Sequence, residues 1–244
     1  MNDGKPKAQQ TVIGIKLFGR EHTLKGKAAV AFMVILLGLV LALIVYFTVT
    51  KPEAMKAALS SPLWISAALW IVMMVYWNAA AKRTAPIQSA ESASSRAQHQ
   101  LLLNVALLLA FIRFPFLGVR WLPVSPLVVP IGLAVQVGAM LLDVWAMRCL
   151  GRNWSGRVAI KVDHELVRTG PYRMVRHPIY TAMIGMYLGT AIVSGELHGL
   201  LAVVLAAIAY WRKTRMEEAG LREAFGQAYD DYARVSYALI PWIF

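Results

Sequence analysis

Residues 28–50 read AAVAFMVILLGLVLALIVYFTVT, a run without one charged side chain. A helix needs about 20 consecutive apolar residues to cross a hydrocarbon core of about 30 Å, so this stretch reads as a membrane span. Some 27 mostly polar residues precede it, which is unlike the short basic head of a cleavable signal peptide. The expectation is a retained first helix. Working outward, similar runs follow at 62–81, 101–122, 127–147 and 178–193, and a last one ends at Trp211. Trp64 and Trp77 stand near the ends of the second run, as interfacial anchors do. The third is untidy, with Asn104, Arg113 and Pro115, and the fourth carries Gln136 and Asp143.

Composition agrees. Of 244 residues, 58% are apolar and 16% charged, against roughly 45–50% and about 25% in an ordinary soluble domain. The expected fold class is all-α, a polytopic transmembrane helix bundle of about six spans, the last two a helical hairpin. The C-terminal region should be cytoplasmic. Residues 1–27 read as a basic cytoplasmic arm, amphipathic around Val12 to Phe18 and lying on the membrane surface. Residues 28–122 form the variable helices, with a flexible polar linker at 82–100. Residues 123–244 form a further unit, spans four to six with their cytoplasmic loop and tail.

The net charge of +12 invites a nucleic-acid reading, but no recognised binding module accompanies it. Its distribution points instead to membrane lipids. The arm, the linker, the loop at 148–176 and the tail from 212 onward hold 21 of 25 basic residues, the bias expected of cytoplasmic segments. Both termini should therefore be cytoplasmic, in a bacterial-type inner membrane. Cys149 is the only cysteine, so no disulfide framework or cysteine metal cluster is expected. No His/Cys/carboxylate spacing suits zinc either, and no metal is expected.

Two of the cytoplasmic segments carry chemistry. One runs from Leu166 through Gly170, Pro171, Tyr172, Arg176, His177 and Pro178 to Tyr180; the other from Arg212 through Glu217, Glu218, Phe225 and Gly226 to Tyr229 and Tyr232. Gly170-Pro171 is a turn, and Pro178 suits the first turn of a helix. That places His177 and the preceding amides at a helix N-terminus, where N–H groups face an anion. Glu217 and Glu218 are suited to an ammonium group or ribose hydroxyls. Tyr229 and Tyr232 read as packing that closes the tail over the site. Asp143 and Gln136 share a helix face; either they line a substrate tunnel, or Asp143 pairs with Arg113 or Arg148 for structure.

The ordered set Gly-Pro-Tyr-x-x-x-Arg-His-Pro-x-Tyr, then Glu-Glu and Phe-Gly-x-x-Tyr-x-x-Tyr, resembles the isoprenylcysteine carboxyl methyltransferase family and the wider phospholipid methyltransferases. The match covers about residues 150–241. The resemblance implies S-adenosylmethionine as cofactor. It places His164, Glu165, Leu166 and Val167 around that cofactor, together with Gly170, Tyr172 and Arg176. It also places there the element His177, Pro178, Ile179 and Tyr180, and Glu217 with Glu218 as a one-residue alternative. The family holds substrate with an arginine one turn before that glutamate. Counting lands on Lys213 with Arg212 and Arg215 beside it, and Arg212, Arg215 and Tyr180 are the candidates at the reacting atoms.

Methyl transfer from a sulfonium needs nucleophile, carbon and sulfur held in line, and positioning supplies up to about 7–11 kcal/mol. A carboxylate or thiolate acceptor needs only a cation to orient it; an amine or hydroxyl needs a base. The expected partner is a lipophilic or lipid-linked substrate. Two alternatives remain: a sterol-reductase-like oxidoreductase using NADPH, whose C-terminal region has a related pattern, and a small transporter or scaffold.

Overall fold

The structure is a computed structural model that describes residues 13–17, 20–24, 50, 61–81, 84, 86–113, 115–155, 159–161 and 165–241. The chain divides into two compact units, Met1–Ser61 and Pro62–Phe244. In the first unit, β1 (Ile13–Leu17) pairs antiparallel with β2 (Arg20–Leu24). Ile13, Ile15 and Leu17 alternate with Gly14 and Lys16, a period of two that favours a strand over the expected amphipathic surface segment. The expected span at 28–50 lies outside the described residues, apart from Thr50.

The second unit is a helix bundle. In chain order come α1 (Leu63–Ala81), β3 (Ile87–Ala90), α2 (Ala93–Phe111), α3 (Val128–Leu150), β4 (Ala159–Lys161), α4 (Pro178–Ser194), α5 (Leu197–Phe225) and α6 (Gln227–Arg234). Single 3-10 turns stand at Pro115–Leu117, Gly151–Asn153 and Gly170–Arg173. The all-α reading describes the bundle; β3 and β4 add a short antiparallel pair with a bulge between Ile87 and Ser89.

Local chemistry explains where these helices begin and end. α2 starts at Ala93, inside the stretch expected to be a flexible linker, because Ser92 caps it by accepting a bond from the Ser95 amide at 3.2 Å. It stops at Phe111 rather than near Leu122, since Pro115 and the residue before it disfavour helix. Pro178 opens α4, and Gly195, at φ +63°, closes it as a left-handed cap. α5 has 29 residues, about 44 Å at 1.5 Å per residue. It therefore runs well past Trp211, where the last expected span ends.

The packing inverts that of a water-soluble protein. Leu63–Ala81 and a segment spanning Val128–Asn153 are long and apolar enough to cross a membrane, and Pro178–Ser194 is a shorter apolar helix. Only 17% of the 18-residue apolar window in each long segment is buried inside the protein, whereas a soluble core helix would be mostly covered. Ile71, Val75, Leu101, Leu108, Ile131, Leu141 and Ile208 all point outward, and an apolar surface this large implies hydrocarbon around it. Polar side chains sit inside. Ser66 Oγ donates to Gln136 Oε1 at 2.7 Å and lies 3.0 Å from Thr190 Oγ1, which accepts from Trp70 Nε1 at 3.0 Å. This network ties α1, α3 and α4 together.

α3 and α4 meet along a seam of small residues. A Cβ on Gly189 would lie 2.7 Å from both Gln136 Cβ and the Gly132 carbonyl oxygen. At the far end of the pair, Arg113 meets Glu196 at 3.0 Å, and His198 lies 3.3 Å from Glu196 and 2.6 Å from the Leu109 carbonyl. Arg113 is thus engaged away from Asp143, whose partner is Trp77 Nε1 at 2.7 Å. Neither expected structural partner of Asp143 is its partner here: α2 ends early and carries Arg113 to the hairpin turn.

Replacing Gly189 with leucine should force the seam apart, since overpacking costs about 1–3 kcal/mol. Thermal unfolding of the detergent-solubilised variant should show a midpoint several degrees lower than that of the parent.

Candidate active site

The cleft lies where α5 leaves the apolar part of the bundle. Its empty space, counting the open mouth, is about 790 Å³. On α5, Lys213, Glu217 and Leu221 face it at successive helical turns. α4 contributes Ile179 and Tyr180; the segment before it contributes Tyr172, Arg176 and His177. Glu165, Leu166 and Val167 form another wall, and Trp77, Leu150, Asn153, Trp154 and Ser155 complete it with Tyr229 and Tyr232.

Gly170 makes the turn into this wall possible. It sits at φ +59°, and a Cβ there would lie 2.5 Å from Cys149 Sγ, so only glycine fits both the backbone and the space. Gly170 does not itself line the cleft, and neither does Pro178, which starts α4. His164 lies outside the described residues.

Charge is concentrated on His177. Its Nδ1 is 3.6 Å from Glu217 Oε2, and its Nε2 is 3.4 Å from Glu218 Oε1. The Tyr180 hydroxyl donates to Glu217 Oε2. Burial pulls the His177 imidazole down, but the two glutamates outweigh it and hold it above the usual 6.5. Burial pushes both carboxyls up; His177, with Tyr180 and Lys213 on Glu217 and with Arg176 on Glu218, brings them below 4.5, to about 2 for Glu218. Burial also lowers the Lys213 ammonium, against the pull of Glu217. Lys213 Nζ lies 5.1 Å from the centre of the Tyr180 ring, close enough for a cation–π contact.

The two glutamates divide their work. Glu217 faces the cleft. Glu218 is buried behind it, bound by Arg176 Nε at 2.8 Å and by Arg222 at 3.4 Å. Arg176 also donates to the Ala233 carbonyl at 3.0 Å and to the Ser236 carbonyl. The amides of Arg176 and His177 donate to the carbonyls of Tyr237 and Ala238 at 2.8 and 3.1 Å. Those donors, expected to face an anion, hold the C-terminal tail instead. The Tyr232 hydroxyl donates to the Tyr172 carbonyl at 2.6 Å, closing the strap.

Arg212 and Arg215 lie on other faces of α5. Arg212 donates to Ser95 Oγ at 3.0 Å and Gln98 Oε1 at 3.1 Å, and Arg215 is exposed over the Trp211 ring. Of the three neighbouring cations on α5, Lys213 lines the cleft, four residues before Glu217 and so one turn below it. Strict helical spacing from Glu217 would have selected Lys213 and Leu221. No comparable signal marks Trp77 or Trp154, which reach the cleft through tertiary packing.

The pH dependence follows from these directions. The carboxylates contribute fully above 4.5 and lose their contribution as pH falls through their lowered folded values, about 2 for Glu218. His177 contributes fully below 6.5 and loses its contribution as pH rises through its raised folded value. The cluster should stabilise the fold most between pH 4.5 and 6.5. In unfolding curves taken across pH, His177→Gln should narrow the gap from the parent above that window.

Comparisons with known proteins agree with the motifs. The phospholipid methyltransferase family model matches residues 127–228. A probable protein-S-isoprenylcysteine O-methyltransferase of Oryza sativa subsp. indica is 28% identical over 119 residues, 46% of this chain and 61% of the relative. The nickel-cobalt-cadmium resistance protein NccN of Alcaligenes xylosoxydans xylosoxydans is 37% identical over 112 residues, 43% and 52% of the two chains. The solved structure of a eukaryotic intramembrane Ras methyltransferase, isoprenylcysteine carboxyl methyltransferase, is 27% identical, with a TM-score of 0.48 over 60% of this chain and 53% of that one. The chain thus spans less than two thirds of the length of these relatives. Residues 127–228, which contain most of the cleft, match the phospholipid methyltransferase family model and are similar in sequence to protein-S-isoprenylcysteine O-methyltransferases.

Proposed function

We propose that this protein is an integral membrane methyltransferase that uses S-adenosylmethionine on a lipophilic or membrane-delivered acceptor. The observation that carries this reading is the convergence of Glu217, Tyr180, His177 and Lys213 on one cleft at the boundary of the apolar helices. In this reading residues 123–244 hold the catalytic machinery and the cleft opens to the cytoplasm. The basic residues of the arm, the loop and the tail support that side by the positive-inside bias.

The residues present fit the cofactor. Glu217 offers a carboxylate inside the cleft for an ammonium group or ribose hydroxyls. The rings of Tyr172, Tyr180, Tyr229 and Tyr232 offer surfaces for a purine and for a sulfonium charge. Bound there, S-adenosylmethionine would supply a methyl group already activated on a positive sulfur. Arg176 and Glu218 would keep the tail closed over the cleft and exclude water. Tyr180 and His177 would hold Glu217 in one position, so the carboxylate needs no reorganisation during transfer. Lys213 would orient an acceptor's negative charge, the role expected of its neighbours Arg212 and Arg215.

Incubating the solubilised full chain with methyl-labelled S-adenosylmethionine and a lipid extract should yield a labelled lipophilic product. Glu217→Gln and His177→Ala should each reduce labelling by about a hundredfold or more, in line with losing preorganised electrostatics. Arg215→Ala should label at close to the parent rate. Tight NADPH binding without S-adenosylmethionine binding would overturn the reading.

A further inference from the structure

One carboxylate in the bundle is not used by the cleft chemistry. Asp143 lies on α3 with no exposed surface, on the same face as Gly132, Gln136, Ala139 and Ala146. A carboxylate at this depth is costly unless it is fully bonded. Among the described residues, its Oδ1 has no hydrogen-bond partner. Its Oδ2 has one, the indole N–H of Trp77 at 2.7 Å.

Trp77 is the lining residue that comes from α1, ahead of the matched region. Its ring stands edge-on to Trp154, centroids 5.6 Å apart and planes at 75°. An indole at the end of an apolar helix would otherwise sample several rotamers. Here a hydrogen bond at one edge and an aromatic contact at another leave it one orientation. With Leu150 and Ile179, the two rings form an apolar part of the cleft, opposite in character to Glu217 and Lys213. α1 presents Ile71 and Val75 outward on a different face, while Trp77 shares the inward face with Trp70 and Met73.

We propose that Trp77, held in place by Asp143, selects the acceptor by the shape of its hydrocarbon portion, with Asp143 as a positioning residue. This rests on reading the cleft as a methyl-transfer site. A hydrocarbon chain entering beside Trp77 is accepted or rejected by the position of the ring. Because Trp77 lies on α1, relatives sharing only the matched region need not share the preference.

The test uses binding, so it does not require turnover. The full chain, in nanodiscs with S-adenosylhomocysteine, is titrated with N-acetyl-S-(12-bromododecyl)cysteine. Its bromine quenches tryptophan on contact, and saturable quenching, competed by the bromine-free analogue, gives Kd. Trp77→Ala and Asp143→Leu should each weaken Kd about tenfold. Asp143→Asn, which keeps an acceptor for the indole, should stay within about twofold of the parent. The ratio of Kd between the dodecyl probe and one tipped with a bulky adamantyl group should shift about threefold or more in Trp77→Ala. Equal Kd in the parent and Trp77→Ala, or Asp143→Asn as weak as Asp143→Leu, would overturn the proposal. Separate measurement of S-adenosylhomocysteine binding distinguishes failure of the cofactor reading, which leaves the probe's Kd readable.

Discussion

His177 lies between two carboxylates that are adjacent in sequence but point about 100° apart around one helix. Glu217 turns into the cleft, and Glu218 turns back toward Arg176 and the tail. An imidazole facing a carboxylate at each nitrogen is held above its usual 6.5, and each carboxylate is held below its usual range in return. Arg176 extends the cluster to the carbonyls of Ala233 and Ser236. The face of the cleft and the strap that covers it thus share one set of charges. A change in one glutamate reaches both.

That cluster is placed by two rigid elements. α5 runs without a break from His198, in the polar contact at one end of the bundle, to Glu217 and Glu218 at the other. α4 is seated against α3 so closely that Gly189 and Gly132 cannot carry side chains. In hydrocarbon there is no hydrophobic force to draw helices together, so close backbone approach and buried polar bonds must do it. Ser66, Gln136 and Thr190 supply those bonds, and Asp143 with Trp77 supplies another at the edge of the cleft. Interior polarity in this bundle therefore has two uses, holding helices together and shaping the site.

The C-terminal tail has a larger part than its motif suggests. Tyr237 and Ala238 accept the amides of Arg176 and His177, Tyr237 donates to the Met174 carbonyl, and Thr181 Oγ1 donates to the Leu239 carbonyl at 2.6 Å. The loop before α4 and the tail after α6 are stitched into one layer. Its backbone groups are satisfied within the protein, as groups beside a membrane interior must be.

Several features were legible in the residues alone. The apolar runs at 62–81, 127–147 and 178–193 became helices because length and composition suffice to specify them. Pro178 and Gly195 marked the ends of α4 because their backbone preferences are local. The ordered motif brought Tyr172, Arg176, His177, Tyr180 and Glu217 to one cleft because it lies on two segments joined by a hairpin. The rest depended on contacts between distant parts of the chain. Lys213, not Arg212 or Arg215, enters the cleft because helix phase decides which of three neighbouring cations faces inward. The amides before α4 are taken by a tail some sixty residues away. Trp77 reads as an interfacial anchor until α3 brings Asp143 within 2.7 Å of its indole. Local sequence sets the helices and their caps; only packing decides which side chains meet.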